Sequence, residues 1–430
     1  MKLDEQTFLT KANPNVLKSF LIVAFITIFG LSGIRDYLTP AWYWVLGCSP
    51  FLVLGGLELR LRGFRGLVEE LKGNSWVMWV ALYWLIFIAG IAVAGIANAG
   101  VGLGAALKYA ALLLVFLALS TLHINTQQVL VGLKAWAAFA LCGVAGLFLF
   151  DATDYLIITP GRIGWALAFP GVLWKAGVFL LLWSIWQLLM RPLNIGGLVW
   201  LFISALVMGF DGSRTGILIA AGAFLVFLVL ALIRHRSCAS VVLGRAVVLG
   251  LFIVVGMGAV NPSPWNPIRW APSISQSVVK TDVPTREIAE DPVRLRMFKE
   301  AVSGSLGNFP LGAGFGSTGV SVAGVEGLMV VHITYLQLLS DVGVIGLIGY
   351  LGIFAIPLLA AYRRVARAEN GWLVLDRFSL PLCILSGYLV AGLFHPVSSE
   401  LSEWAIVLLA LCLLVKDRPE SECGRGVRCG

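Results

Sequence analysis

Charge is what this 430-residue chain has least of: Asp, Glu, Lys and Arg together make up 13% of it, against 59% hydrophobic residues. A soluble domain carries about a quarter charged residues. With a mean hydropathy of +0.91, one or two ordinary water-soluble domains are therefore excluded. The apolar runs are continuous rather than alternating, which excludes an outer-membrane barrel. Histidine is limited to four residues, so imidazole chemistry has few candidates. Of seven cysteines, none falls between residues 261 and 332, and no disulfide framework is implied for that segment. No internal repeat or low-complexity tract is evident.

What fills the chain instead is a series of apolar stretches, each long enough to cross about 30 Å of hydrocarbon. They predict an all-α polytopic membrane protein with about twelve transmembrane helices, at 17–34, 41–57, 76–96, 101–122, 129–150, 163–190, 194–210, 216–233, 241–260, 333–361, 379–395 and 401–415. The sixth contains Pro170-Gly171, so an interfacial segment before Val172 is compatible with it. The first run lacks a small-residue cleavage site and leads into further spans, so it reads as a retained helix. With the N-terminus in the cytoplasm, the inside segments hold nineteen Lys and Arg and the short outside loops only three: Arg35, Arg162 and Arg214. That asymmetry sets both termini inside, and the net charge of +8 reports cytoplasmic loops rather than nucleic-acid binding. The chain then divides into helices one to nine (1–260), a long exported loop with short helices (261–332), helices ten to twelve (333–415) and a polar tail (416–430). Trp42, Trp44, Trp76 and Trp79 read as interfacial belt residues.

A loop this long is usually functional or disordered. It opens on the Pro/Trp-rich stretch Asn261 to Trp270 and then offers a helix start at Asp291-Pro292, an acid cap followed by proline at the first helical position. The helix is predicted through Val302, with Arg294, Phe298 and Ala301 on one face and Arg296 about 200° away from Arg294. Six basic and six acidic residues make the loop neutral. Any anion site in it must be built from individual side chains.

Beyond that helix come Asn308-Phe-Pro-Leu-Gly-Ala-Gly-Phe-Gly316 and His332-Ile-Thr-Tyr-Leu336, the latter running on to Asp341-Val-Gly343. The order Asp-Pro-x-Arg-x-x-x-Phe, then Asn-x-Pro-Leu-Gly-x-Gly-x-Gly, then His-x-x-Tyr-Leu-x-x-x-x-Asp-x-Gly resembles the shared block of the O-antigen ligase/polymerase family. Asp211-Gly-Ser-Arg-Thr-Gly216 looks like that family's Ser-Arg element between two spans, and Arg162 with Gly164 and Phe169-Pro170-Gly171 is similar to another recurrent arginine element. The resemblance covers about 160–350. One departure is Ile333-Thr334, where family members often carry Asn after the histidine.

The resemblance implies a membrane glycosyltransferase-C-like fold. It also implies transfer of a glycan from undecaprenyl diphosphate at the periplasmic face of the bacterial inner membrane. The acceptor is a sugar hydroxyl of lipid A–core in ligases, the closest match, or another O-unit in polymerases. The residues suit such a reaction. Arginine is always protonated and binds phosphate oxygens in pairs, and fixed cations aimed at developing charge lower a barrier by a few kcal/mol each. A diphosphate so neutralised leaves without a general acid, and the acceptor hydroxyl needs a base, for which histidine suits near neutral pH. His123 and His235 fall on the inside, leaving His332 as the expected base, with His395 able to line the same cavity. Arg214 and Arg294, assisted by Arg162, are the expected diphosphate ligands, in a single displacement that inverts the anomeric centre.

Plainer roles exist for each. His332 suits a polar helix start, Arg214 a snorkelling residue, Arg294 an ion pair with Glu290, and Arg162 a partner for Asp151 or Asp154. Lys134 reads as snorkelling inward, and Lys175 as facing the interior, with diphosphate binding an alternative. Asp341, nine residues beyond His332, is predicted not to orient it. Gly312, Gly314 and Gly316 suit an anion-binding nest or close packing equally. The first exported loop offers only Arg35-Asp36, without Asp-x-Asp spacing, and Glu400 and Glu403 read as helix-capping acids, so neither metal nor other cofactor is expected. A protein O-oligosaccharyltransferase is a weaker fit, such members tending to carry a longer soluble segment. A lipid-linked sugar flippase or transporter, the rival from another class, predicts two related halves, which this sequence lacks.

Overall fold

The computed structural model describes residues 14–30, 32–122, 124–159, 162–168, 173–260, 292–321 and 328–416. The Pro/Trp-rich stretch 261–270, the Asp291 cap, His123 and the tail from 417 lie outside them. The chain is an all-α membrane protein. Its helices are α1 (Pro14–Ala24), α2 (Pro40–Gly73), α3 (Ser75–Ala97), α4 (Leu103–Thr121), α5 (Thr126–Leu149), α6 (Leu173–Met190), α7 (Ile195–Asp211), α8 (Arg214–Arg234), α9 (Ala239–Val260), α10 (Pro292–Gly307), α11 (Thr334–Arg367), α12 (Gly371–Ala391) and α13 (Leu401–Val415). Two short antiparallel hairpins interrupt them, β1 (Leu156–Thr159) with β2 (Arg162–Trp165) and β3 (Gly319–Ser321) with β4 (Leu328–Val330). Among the described residues a helix falls on each of the twelve apolar stretches, and eight helices are long and apolar enough to cross a membrane. The shorter apolar ones are Ser19–Phe29, Gly177–Met190, Ile195–Asp211 and Leu401–Val415.

α13 forms the centre. Its 15 residues rise only about 22 Å, and all but Glu403 and Leu413 are buried. Being short is tolerable because protein rather than lipid surrounds its ends. The last carbonyls are satisfied: the Arg364 guanidinium donates to the Leu414 oxygen and to that of Val415 (3.1 Å), and Asn74 Nδ2 also reaches Val415 (3.1 Å). Trp404 on α13 sits in an aromatic cluster with Trp84, Tyr109, Tyr350, Phe354 and Tyr388. The Trp84 indole donates to the Tyr109 carbonyl at 3.0 Å, so its buried N–H is paired.

α3 and α11 pack along most of their length because glycines line the contact. A Cβ on Gly349 would lie 2.4 Å from the Phe87 amide nitrogen, and one on Gly90 would lie 2.5 Å from the Gly346 Cα. Without a strong hydrophobic drive between helices in lipid, such close backbone approach is what makes van der Waals contact worthwhile.

Several sequence expectations need correction. The sixth span does not begin at 163: residues 162–165 are a strand, and α6 starts at Leu173. The second apolar span, Pro40–Arg60, agrees with 41–57 to within a few residues, but α2 itself runs on to Gly73 across a non-helical Gly63. The tenth, expected as one helix over 333–361, breaks at Gly343 (φ 66°, ψ −166°) and extends to Arg367. A Cβ at Gly343 would lie 2.0 Å from the Pro310 carbonyl oxygen, so the segment around Pro310 presses into the break and only glycine fits. The eleventh helix begins at Gly371, eight residues before 379, because Asp376 is buried there as an acceptor for Arg234 (2.9 Å) and the Trp186 indole (3.1 Å). Charge inside a helix ends a hydropathy window, although pairing lets the helix continue. Of the belt tryptophans, Trp42 and Trp79 are exposed, while Trp44 and Trp76 lie under Lys108 (5.9 Å) and Arg363 (5.3 Å).

Candidate functional site

The starts of α6, α8, α11 and α13 and the ends of α7 and α12 share one end of the bundle. Lys175 on α6 pairs with Glu403 on α13, and Thr334 at the start of α11 donates to the carbonyl of His395, just beyond α12, at 2.7 Å. Arg191, Arg234, His235 and Arg245 lie at the other end, where His235 Nε2 donates to Met190 O (3.2 Å) and Arg245 to Arg191 O (2.9 Å). Lys134 is half-buried, and its ammonium stands over the rings of Trp183 (5.6 Å) and Trp200 (5.1 Å).

His332 lies at the first end, half-buried, between β4 and α11. Its Nδ1 is 2.9 Å from the Val330 carbonyl oxygen. A carbonyl only accepts, so Nδ1 carries the proton of the neutral ring and the lone pair falls on Nε2. The helix α10, predicted to end at Val302, runs on to Gly307 and packs against this segment: Met297, Ala301 and Val331 form a small core with Val320, Ile333 and Leu336 around it. By helical spacing residue 294 falls on the Met297–Ala301 face, although the Arg294 side chain lies outside the described residues. Phe298, expected on that face, is 47% exposed, and Arg296 is exposed as well.

The glycine loop is filled from within. Asp341, fully buried, accepts at Oδ2 from the Gly316 amide (2.8 Å) and Gln337 Nε2 (3.2 Å), and at Oδ1 from the Thr318 amide (2.9 Å). Of the three glycine amides, that of Gly316 donates to this carboxylate, and those of Gly312 and Gly314 donate to the backbone carbonyls of Asn308 and Asp341 (2.8 Å each). All three are thus taken within the protein, which favours the close-packing alternative over an anion nest. Gly312, Gly314 and Gly316 all have positive φ, between 79° and 100°, as this turn requires. Gln337 in turn accepts from the Val397 amide at 2.9 Å, so one network ties the loop to the segment after His395.

Arg162, half-buried on β2, belongs to the same end. Its neighbour Ile163 packs with Val144, Leu156 and Phe210, the last being one residue before Asp211 on α7. Among the described residues no ion pair joins Arg162 to Asp151 or Asp154. Asp211 is fully buried, Gly212 takes the left-handed conformation (φ 59°) that closes α7, and Ser213 caps α8 by accepting from the Gly216 amide at 3.3 Å. Arg214 is thereby the first residue of α8; its side chain lies outside the described residues. The structure brings the His332 and Arg294 segments into contact, and the Arg162 hairpin beside the turn that carries Arg214. No family model matches the chain, and comparison with curated proteins finds no relative.

A small cleft is lined by Lys175, Phe179, Thr334, Tyr388, His395 and Glu403 among others, Thr334 lying two residues beyond His332. Glu400 and Glu403 do not cap α13 with their side chains, as had been expected. Glu403 holds Lys175, and Glu400 holds Lys108 (2.7 Å) with Arg35 at 4.0 Å. Spacing alone could not show this, because the cations come from α4, α6 and the segment before α2. Among the described residues no group of three His, Cys, Asp or Glu could hold a metal ion.

Proposed function

We propose that this protein is a glycosyltransferase of the O-antigen ligase type, which moves glycan from undecaprenyl diphosphate to a sugar hydroxyl of lipid A–core. In this reading twelve helices span the bacterial inner membrane, both termini are cytoplasmic, and the end bearing the hairpins faces the periplasm. The observation that carries it is the setting of His332. A carbonyl holds Nδ1, which puts the lone pair of the neutral ring on Nε2, and the flanking Val331 and Ile333 pack against α10, the helix that bears Arg294. Nε2 takes the acceptor's proton as its oxygen attacks the anomeric carbon. The bond from that carbon to the diphosphate oxygen breaks with inversion, and Arg214, Arg294 and Arg162 hold the charge left on undecaprenyl diphosphate. The reaction as written uses no metal and no nucleotide.

Reconstitution with purified lipid-linked glycan and lipid A–core, without nucleotide or added divalent ion, tests this reading. Glycosylated lipid A–core is the expected product; lengthened lipid-linked glycan would identify a polymerase, and movement of the donor between leaflets without a new bond a transporter. His332→Ala should insert normally and lose at least about 100-fold in rate, the lower range of general-base contributions. A parental rate would remove the base assignment.

A further inference from the structure

In the transfer reading α10 bears Arg294 and supports the His332 segment, which leaves one of its sides unused. At about 100° per residue the helix divides into three sectors. Met297, Ala301 and Ser305 are buried against the protein, while Arg296, Lys299, Glu300 and Ser303 form an exposed polar sector. Between the two, on an arc of about 80°, stand Leu295, Phe298, Val302 and Leu306, all exposed and Leu306 at 78%. Contiguous apolar surface of this kind marks contact with a membrane or with another protein.

The chain beyond α10 sets the level at which this side lies. Phe309 and Leu311 are exposed too. Between them the Pro310 carbonyl accepts from the Val344 amide (3.0 Å), and the Gly312 carbonyl accepts from Asn98 Nδ2 (3.0 Å). Val344 opens the long limb of α11 and Asn98 closes α3, both helices long and apolar enough to cross a membrane. Ile345 and Ile96, beside these two contacts, are exposed apolar residues of those helices. The lipid-facing surface of the bundle thus reaches the segment that holds Phe309. Leu306 stands three residues, at most about 11 Å of chain, from it. A polar sector carrying Arg296 and Lys299 above an apolar one is the pattern of a helix lying in the interface, and the Lys299 stem lets its ammonium reach lipid phosphate.

We propose that α10 is an interfacial helix whose Leu295, Phe298, Val302 and Leu306 side is seated in the lipid leaflet at the His332 end of the bundle. Met297 and Ala301 pack on Val331, with Ile333 beside them, so the helix holds the His332 segment at the depth of the lipid headgroups. That seating is independent of the chemistry at His332.

The test replaces Leu306, Ser303 or Leu107, one at a time, with the photo-crosslinker p-benzoylphenylalanine in the full chain. Each variant is held in nanodiscs of phosphatidylethanolamine and phosphatidylglycerol, irradiated and weighed by mass spectrometry. All three side chains are exposed, so the replacements leave the packing in place. Leu107, near the same end of α4, gives the yield of a side chain facing lipid, and Ser303 that of one on the polar sector. Lipid adducts at Leu306 should come within about threefold of those at Leu107 and exceed those at Ser303 by about tenfold, as for a side chain at the acyl boundary. A lipid yield at Leu306 no higher than at Ser303 overturns the proposal. So does a crosslink from Leu306 to residues 261–290 or to a second copy of the chain, since protein rather than lipid would then cover the helix.

Discussion

Asp341 anchors the loop that leads to His332, and Asp341→Ala should loosen it measurably. The carboxylate is fully buried and takes two backbone amides at 2.8 and 2.9 Å. Alanine leaves the Gly316 and Thr318 amides and Gln337 Nε2 without this acceptor. Each stranded donor costs about 1–3 kcal/mol, so two amides alone reach about 2–6 kcal/mol. Against this, alanine no longer buries a charge, which returns part of the loss. A net of about 3 kcal/mol is expected, equivalent to roughly a hundredfold in the local opening constant. The change should stay local, since the acceptors of α6 and α7 are their own carbonyls. Hydrogen exchange on the purified protein is the direct assay. Protection at residues 313–318 should fall about a hundredfold while peptides from α6 and α7 exchange as before. Protection at Gly316 and Thr318 within about threefold of the parent would show that this carboxylate does not hold the loop.

Other perturbations test the packing. Gly349→Val places a branched side chain where a Cβ already meets the Phe87 backbone at 2.4 Å; the cost should be at or above the usual overpacking range of about 1–3 kcal/mol, read as a lower melting temperature in detergent. Arg234→Met strands the Asp376 carboxylate, which is 6% exposed, at about 3–5 kcal/mol; adding Asp376→Leu should restore most of the lost melting temperature, and a double variant no better than the single would count against pairing as the cause. Arg214→Lys keeps the charge but loses paired phosphate contacts, so donor KM should rise while insertion is normal; an unchanged KM would remove Arg214 from the diphosphate site.

The apolar runs alone determined the helices, because a bilayer-length stretch of apolar residues has few alternatives to a helix whose backbone bonds are all internal. Pro292, a local signal at the first helical position, placed α10 in the polar loop. The distribution of Lys and Arg grouped Arg191, Arg234 and Arg245 at the end opposite His332. Local patterns failed where the deciding partner was remote in the chain. Asp376 and Arg377 read as loop residues because Arg234, which makes the buried aspartate acceptable, is 142 positions away. Glu400 and Glu403 read as caps because Lys108 and Lys175 lie 292 and 228 residues from them. The glycines read equally well as an anion nest because the groups that take their amides are set by the fold: Gly316 donates to the Asp341 carboxylate, 25 residues on, and Gly314 to the Asp341 carbonyl. Composition fixes which segments leave water; only the folded bundle decides which of the few remaining charges meet, because each buried charge must find its counterpart wherever the chain happens to bring one.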